Sequence, residues 1–226
     1  MTPGTLLAVC RVHELLPTTD NTGVTAIDKR PVAGPVKVHG LGLSGDIQAS
    51  RKHHGGVSKA VYAYSQDDAD YWAEELGTAI RPGLFGENLR ISGMPVSEAV
   101  IGERWQIGDS TVLEVTCPRT PCRNFAVRMK QPRWVLRFAQ AGRTGTYLRV
   151  IRNGSITAGD PVTVIARPEH GITSGDVFRG LTPEQAGVLS AAAAAGKVKP
   201  SPEILKVLRT LQARETAGVT APAPVR

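Results

Sequence analysis

The chain has 226 residues, 41% of them hydrophobic, and a net charge of +7, enough for one sizeable domain with a real core plus an appendage. No apolar run approaches the roughly 20 residues needed to cross a bilayer, and the opening MTPGTLLAVCRVHELL lacks the basic start and cleavage site of a signal peptide, so a cytoplasmic protein is expected. The positive balance fits an anionic ligand, an acidic protein partner, nucleic acid or merely a basic surface, and it does not bear on fold.

In chain order, residues 4–12, 24–29, 34–39, 57–64, 87–91, 104–108, 111–117, 146–152 and 161–166 are short runs rich in Val, Ile, Leu and Thr, broken by Gly and Pro. This spacing predicts a mainly β fold, a barrel or sandwich, rather than alternating βαβ units. Two peripheral helices interrupt it. Residues 65–76 open with Ser65 as N-cap and acids in the first turn, with Tyr71, Trp72 and Leu76 as the apolar stripe. Residues 132–141 begin with proline at the first helical position and set Trp134, Val135, Phe138 and Ala139 on one side.

After about residue 170 the composition changes. Thr182, Pro183 and Gln185 form a capping box ahead of an alanine-rich helix that Gly196 stops. Ser201 and Pro202 open a second helix with Ile204, Leu205, Leu208 and Leu211 on one face. The expected organisation is a β domain over 1–169, a helical appendage over 170–215 and a disordered tail over 216–226. A helix-turn-helix is argued against by the mixed charges Glu203, Lys206, Arg209, Gln212 and Glu215 on the second helix, so nucleic-acid binding is not expected.

The chemistry concentrates in STVLEVTCPRTPCRNF, 110–125. Strand parity puts Leu113, Val115 and Cys117 on one face, so Cys117 reads as a small buried apolar residue. Cys122 follows Pro118 and Pro121, which impose an irregular, rigid loop, and lies between Arg119 and Arg123. Neighbouring cations favour thiolate, the form that attacks electrophiles or ligates metals, although a structural role stays open. Three cysteines without an export signal do not suggest a disulfide framework, and no further Cys or His pair completes a zinc site with Cys117 and Cys122. The stretches DKRPVAGPV (28–36), LSGDIQASRKHHGG (43–56), GLFGENLRISG (83–93) and AGRTGTYLRV (141–150) each join glycines to basic or amide side chains able to hold an anion. No Walker or Rossmann glycine pattern is present.

Taken in order, TAIDKRPVAGPV, GLSGDIQASRKHHGGVSKAVYAYS, FGENL, IGERWQIGD and PRTPC resemble the MOSC domain family, the domain shared with the C-terminal part of molybdenum cofactor sulfurases, and in particular its YiiM-like stand-alone bacterial branch. The likeness runs from about residue 4 to 168. It implies a MOSC-type β-barrel, a three-helix C-terminal appendage, and binding of a pterin-based molybdenum cofactor with Cys122 as a metal ligand. A soft thiolate suits a metal already held by dithiolene sulfurs. Members similar to YiiM and to the mitochondrial amidoxime-reducing component reduce N-hydroxylated compounds, so the resemblance implies an oxidoreductase acting on hydroxylamines, amidoximes or N-hydroxylated bases. Electrons would come from a separate flavoprotein or ferredoxin, because no cysteine cluster for an iron–sulfur centre is present.

Motif position and side-chain chemistry then nominate Lys29, Arg51, Lys52, Asn88, Arg119, Arg123 and Arg143 for the pterin and phosphate shell, with His53 or His54 as proton donor. Gly55 and Gly56 are expected to form a tight turn at the barrel mouth. Two rival readings are a carrier or sulfur-transfer protein with a persulfide on Cys122, and a barrel that has lost its cofactor. Pyridoxal phosphate is not expected, since the chain is too short to hold a desulfurase domain.

Overall fold

The computed structural model describes residues 3–19, 23–49 and 55–216. Arg51, Lys52, His53 and His54, and the tail from 217 onward, lie outside the described residues.

Strands β1 (Gly4–Pro17), β5 (Val61–Ser65), β6 (Leu89–Ser92), β7 (Arg104–Ile107), β8 (Thr111–Pro118), β9 (Thr146–Arg152) and β11 (Pro161–Ala166) pair in the order β11-β7-β8-β9-β5-β6-β1. The ring closes where Gly4 and Thr5 meet Val162 and Pro161. Closure removes the free strand edges that an open sheet would present. The β5–β6 pairing is parallel, and the helix α1 (Gln66–Leu76) occupies the crossover it requires.

β1 is longer than its apolar pattern suggested, because its two halves have different partners. The first half pairs with β6 and β11; the second runs out of the barrel as a two-stranded ribbon with β2 (Val24–Pro31), its register shifting at Val12/Glu14 and Glu14/Leu16. A small sheet of β3 (Val36–His39), β4 (Gly42–Leu43) and β10 (Gly154–Ile156) lies apart from the barrel ring in the pairing. The run predicted as a strand over 57–64 divides: Val57–Lys59 is a 3₁₀ turn preceded by Gly56 at φ +85°, and β5 starts at Val61.

Two helices follow β8. α2 (Arg123–Met129) begins directly after the irregular Pro118–Cys122 loop, in a stretch for which the sequence predicts no element, and α3 (Trp134–Ala141) starts two residues later than predicted. Arg133 adopts a left-handed conformation ahead of α3 and leaves Pro132 in the turn. Val135, assigned to the apolar side, is exposed, whereas Trp134 and Phe138 are fully buried. Three more helices, α4 (Ser174–Arg179), α5 (Pro183–Ala194) and α6 (Pro202–Thr216), end the described chain. The Thr182–Gln185 capping box forms as expected, with Thr182 N–H donating to Gln185 Oε1 at 2.9 Å and Gln185 N–H to Thr182 Oγ1 at 3.2 Å.

α1, α2 and α3 pack on the barrel through an aromatic cluster. Trp72 meets Trp134 at 4.6 Å between centroids, Phe125 meets Phe138 at 4.9 Å, and Tyr64 meets Phe85 at 5.1 Å. Edge-to-face and offset arrangements of this kind add to the gain from area burial. Phe138→Ala is therefore expected to lower stability by about 3–5 kcal/mol through the cavity it leaves, whereas Val127→Ala, at a side chain 65% exposed on α2, changes it by less than about 0.5 kcal/mol. Urea unfolding of the two variants beside wild type checks the contrast.

Candidate functional site

A cavity of about 520 Å³ opens between the β1–β2 ribbon and the barrel. Its walls come from β2 (Val24–Ile27 and Lys29), the loop after β4 (Asp46–Ala49), Lys59, Ala60 and Tyr62 around the start of β5, Phe85, Gly86 and Asn88 in the turn before β6, residues 119–124 and Tyr147 of β9. Among the described residues, four cations, Lys29, Lys59, Arg119 and Arg123, face it against the single carboxylate of Asp46. The chamber is accordingly suited to an anion.

The glycine motifs that frame it act by close backbone approach. In GLFGENL, Gly83 has φ +80°, and a Cβ there would stand 2.4 Å from the Lys29 carbonyl oxygen. The turn can thus lie flat against β2. Glu87 is fully buried behind it, accepting from Gly83 N–H (2.8 Å) and Phe85 N–H (3.0 Å) and pairing with the equally buried Arg90. In AGRTGTYLRV, Gly145 makes the same approach to the Ala63 carbonyl, 2.4 Å from a built Cβ. These glycines hold strands and turns together rather than admit a ligand.

Lys29 and Asn88, both nominated from the sequence, line the cavity but are already engaged. Lys29 forms an ion pair with Asp46 Oδ2. The Asn88 amide donates to that same oxygen at 2.8 Å and to Cys10 O at 3.1 Å, and its carbonyl accepts from Tyr62 N–H at 3.1 Å. Burial draws the Lys29 ammonium below its ordinary value, with Asp46 opposing that drift. Arg143 is not brought to the cavity. Its guanidinium donates to Asp68 Oδ1 at 2.7 Å and stacks 4.3 Å above the Tyr71 ring, so it joins α1 to the turn before β9.

Arg119, Cys122 and Arg123 do converge on the cavity. Arg119 is 4% exposed, with its guanidinium 4.0 Å from the Phe125 ring centroid and 5.5 Å from that of Tyr62. Among the described residues its Nη1 has no hydrogen-bond partner. A buried guanidinium N–H without an acceptor is costly, and a ligand anion in the cavity would satisfy it. Arg123, exposed, starts α2 directly after Cys122.

The reading from sequence alone missed Asp46, Lys59, Tyr62 and Tyr147. Asp46 and Lys59 stand inside the quoted 42–65 stretch but carry no local sign of their direction. Lys59 Nζ lies 5.8 Å from the Tyr147 ring centroid and 2.6 Å from Glu203 Oε1. Burial pushes both tyrosine phenols upward, opposed by Arg119, so they stay protonated at neutral pH. Tyr62 OH donates to Thr144 O at 2.8 Å.

The three thiols differ sharply. Cys10 is fully buried and its pKa is pushed by burial up to about 12; Cys117, 3% exposed, is pushed up to about 11 for the same reason. Cys122 is only partly buried and opens on the cavity. Iodoacetamide at pH 8 is expected to alkylate native protein at Cys122 and to spare Cys10 and Cys117, which react only on unfolding. Peptide mapping by mass spectrometry checks this, and labelling of Cys10 or Cys117 ahead of Cys122 would contradict the assignment.

Comparison with known proteins agrees with this architecture. The MOSC domain model matches residues 50–163. The uncharacterised protein YflK of Bacillus subtilis is 34% identical over 149 residues, which are 66% of this chain and 67% of YflK. A protein of Gibberella moniliformis named reductase is 36% identical over 149 residues, 64% of this chain but 26% of that protein, so the match spans about a quarter of its length. The crystal structure of YiiM from Geobacillus stearothermophilus superposes with a TM-score of 0.73 at 24% identity, covering 92% of this chain and 99% of that one, a likeness of fold. With its closed seven-stranded barrel and a family match over half its length, the chain belongs to the MOSC domain family.

Proposed function

We propose that the cavity binds a phosphate-bearing, pterin-based molybdenum cofactor with Cys122 as the protein's metal ligand, and that the protein reduces N-hydroxylated small molecules. The observation that carries this reading is that a partly accessible thiol and the buried Nη1 of Arg119, which has no hydrogen-bond partner among the described residues, open on one anion-seeking cavity. The donor set fits the group. Cys122 supplies one soft sulfur to a metal whose other sulfurs belong to the pterin dithiolene, and Arg119, Arg123 and Lys59 supply charge for its phosphate. The name of the Gibberella moniliformis relative, reductase, supports the reaction class.

When bound, the cofactor supplies a two-electron centre able to take oxygen from an N–O bond. The chain's own residues do the remaining work. Arg119, held between the Phe125 and Tyr62 rings, presents its guanidinium without a change of rotamer. The protonated Tyr147 offers a neutral wall beside Lys59. Lys29, tied to Asp46, adds positive potential at a fixed place. His53 or His54 is the proposed proton donor. Electrons come from a separate flavoprotein or ferredoxin. An acidic one would be favoured by the α2 region, where no Asp or Glu occurs between Glu114 and Asp160.

Metal analysis of protein purified from a host that makes molybdenum cofactor tests the ligand. Wild type is expected to carry nearly equimolar molybdenum. Loss of an outer-shell partner alone weakens metal binding by about 10–100-fold, so Cys122→Ala is expected to fall at least as far. Equal molybdenum in both proteins would refute the ligand assignment. Loaded wild type is expected to reduce a hydroxylamine with a supplied chemical reductant, and loaded protein inert in that assay would leave carriage of the cofactor as the function.

A further inference from the structure

One cation of the cavity is held from outside the barrel. Lys59, in the turn before β5, has a side chain only 11% exposed, and its ammonium lies 2.6 Å from Glu203 Oε1 in the first turn of α6. Glu203 is half exposed, at 50%. Burial works to raise its carboxyl pKa, but the hydrogen bond and charge of Lys59, together with hydrogen bonds from Glu203's own backbone N–H and the Ser201 hydroxyl, hold it below the ordinary value.

The start of α6 is firmly seated, so this pair is not a chance contact of a loose helix. Arg149 of β9 donates to the Lys199 carbonyl. Ser201 is fully buried and its Oγ accepts from Ile204 N–H at 3.3 Å, while Ile204 and Leu208 enter the core. The other three cavity cations are disposed differently: Lys29 is paired from within the site by Asp46, Arg119 is held by aromatic rings, and Arg123 is exposed.

We infer that Glu203 is a positioning residue for the cavity: it holds Lys59 at the wall and yields it to the phosphate of an incoming ligand, which couples ligand binding to the seating of α6. The exchange is inexpensive. A half-exposed carboxylate regains water on release; exposed pairs correspond to about a twofold to fivefold factor in an equilibrium, and the 11% exposure of the Lys59 side chain puts this pair at the upper end of that range. A phosphate beside Tyr147 gains Lys59 while it also draws on Arg119 and Arg123. Coupling is reciprocal, so removing the Glu203 charge must tighten phosphate binding by the factor that phosphate binding loosens the pair. This inference rests on the reading of the cavity as the site of a phosphate-bearing group.

Full-length protein from a host unable to make the cofactor, titrated calorimetrically with inorganic phosphate, tests it. Glu203→Gln is nearly isosteric at a half-exposed position and is expected to bind phosphate about twofold to fivefold more tightly than wild type. Lys59→Gln is expected to bind it more weakly. Phosphate is expected to speed amide exchange over 203–207 in wild type and to leave Glu203→Gln unchanged. Loss of a nearby negative charge could tighten binding without any exchange, so the inference is overturned either by equal or weaker phosphate binding in Glu203→Gln or by amide exchange over 203–207 that phosphate leaves unchanged in wild type. If Arg119→Gln still abolishes phosphate binding in that case, the cavity reading stands and only the exchange is refuted. If wild type and Glu203→Gln both fail to bind phosphate, the cavity reading and the exchange fall together.

Discussion

The carboxylate of Asp46 is the constraint on which the site's geometry rests. It accepts from Val12 N–H of β1 at 2.8 Å, from the Asn88 amide ahead of β6 at 2.8 Å, and from the Lys29 ammonium of β2. Three separate parts of the chain therefore converge on one buried anion at the point where the β1–β2 ribbon leaves the barrel. Without it, Lys29 would be a buried cation with no counter-charge, a situation that costs about 3–5 kcal/mol when one partner of a buried pair is removed. The Asn88 amide would lose the anchor that sets its second donor on the Cys10 carbonyl. The ribbon forms one wall of the cavity, so this single group fixes the distance between that wall and the barrel.

With the wall fixed, the cavity's charges separate into a static and an adjustable set. Lys29 has no freedom: it is buried and paired inside the site. Arg119 lies against π-faces that hold its plane, and its Nη1 is left without a partner among the described residues. Lys59 is paired across to a half-exposed carboxylate, which the exchange inferred above has it give up when a phosphate binds. A rigid guanidinium and a movable ammonium on one cavity combine selectivity with reversibility, since the first sets geometry and the second adds charge only when a ligand offers more than Glu203 does.

What the sequence makes legible is local. Ser65 capping α1, with its hydroxyl accepting from Asp68 N–H at 3.0 Å, and the Thr182–Gln185 box need only four consecutive residues to specify them. The barrel follows from strand spacing and from the ordered motifs. Less legible is whatever depends on partners far along the chain. Gly83 and Gly145 look like ligand loops until the Lys29 and Ala63 carbonyls they approach are placed beside them. Arg143 looks like one more phosphate ligand until Asp68 claims it. Lys59 and Tyr147 are brought together by the pairing of β5 with β9 and by the C-terminal helix, and Asp46 by its bonds to Val12, Asn88 and Lys29, and no periodicity announces that. The α2 helix was hidden for a different reason: two prolines precede it, and they prevent helix only up to Pro121.

Those prolines also explain why one thiol among three is available. Cys117 ends a strand whose residues are buried on both faces, and Cys10 lies behind Asn88, whose amide bonds its carbonyl. Cys122 lies just beyond Pro118 and Pro121, where the chain can neither extend β8 nor begin a helix. It takes an extended conformation (φ −132°, ψ 172°), its carbonyl accepts the first helical bond from Ala126 N–H at 3.1 Å, and its side chain meets the cavity. The backbone requirement for stopping a strand and starting a helix within five residues thereby places a sulfur on the cavity that Arg119 also lines. The chemistry of the site is in this sense a consequence of how the chain turns off the barrel.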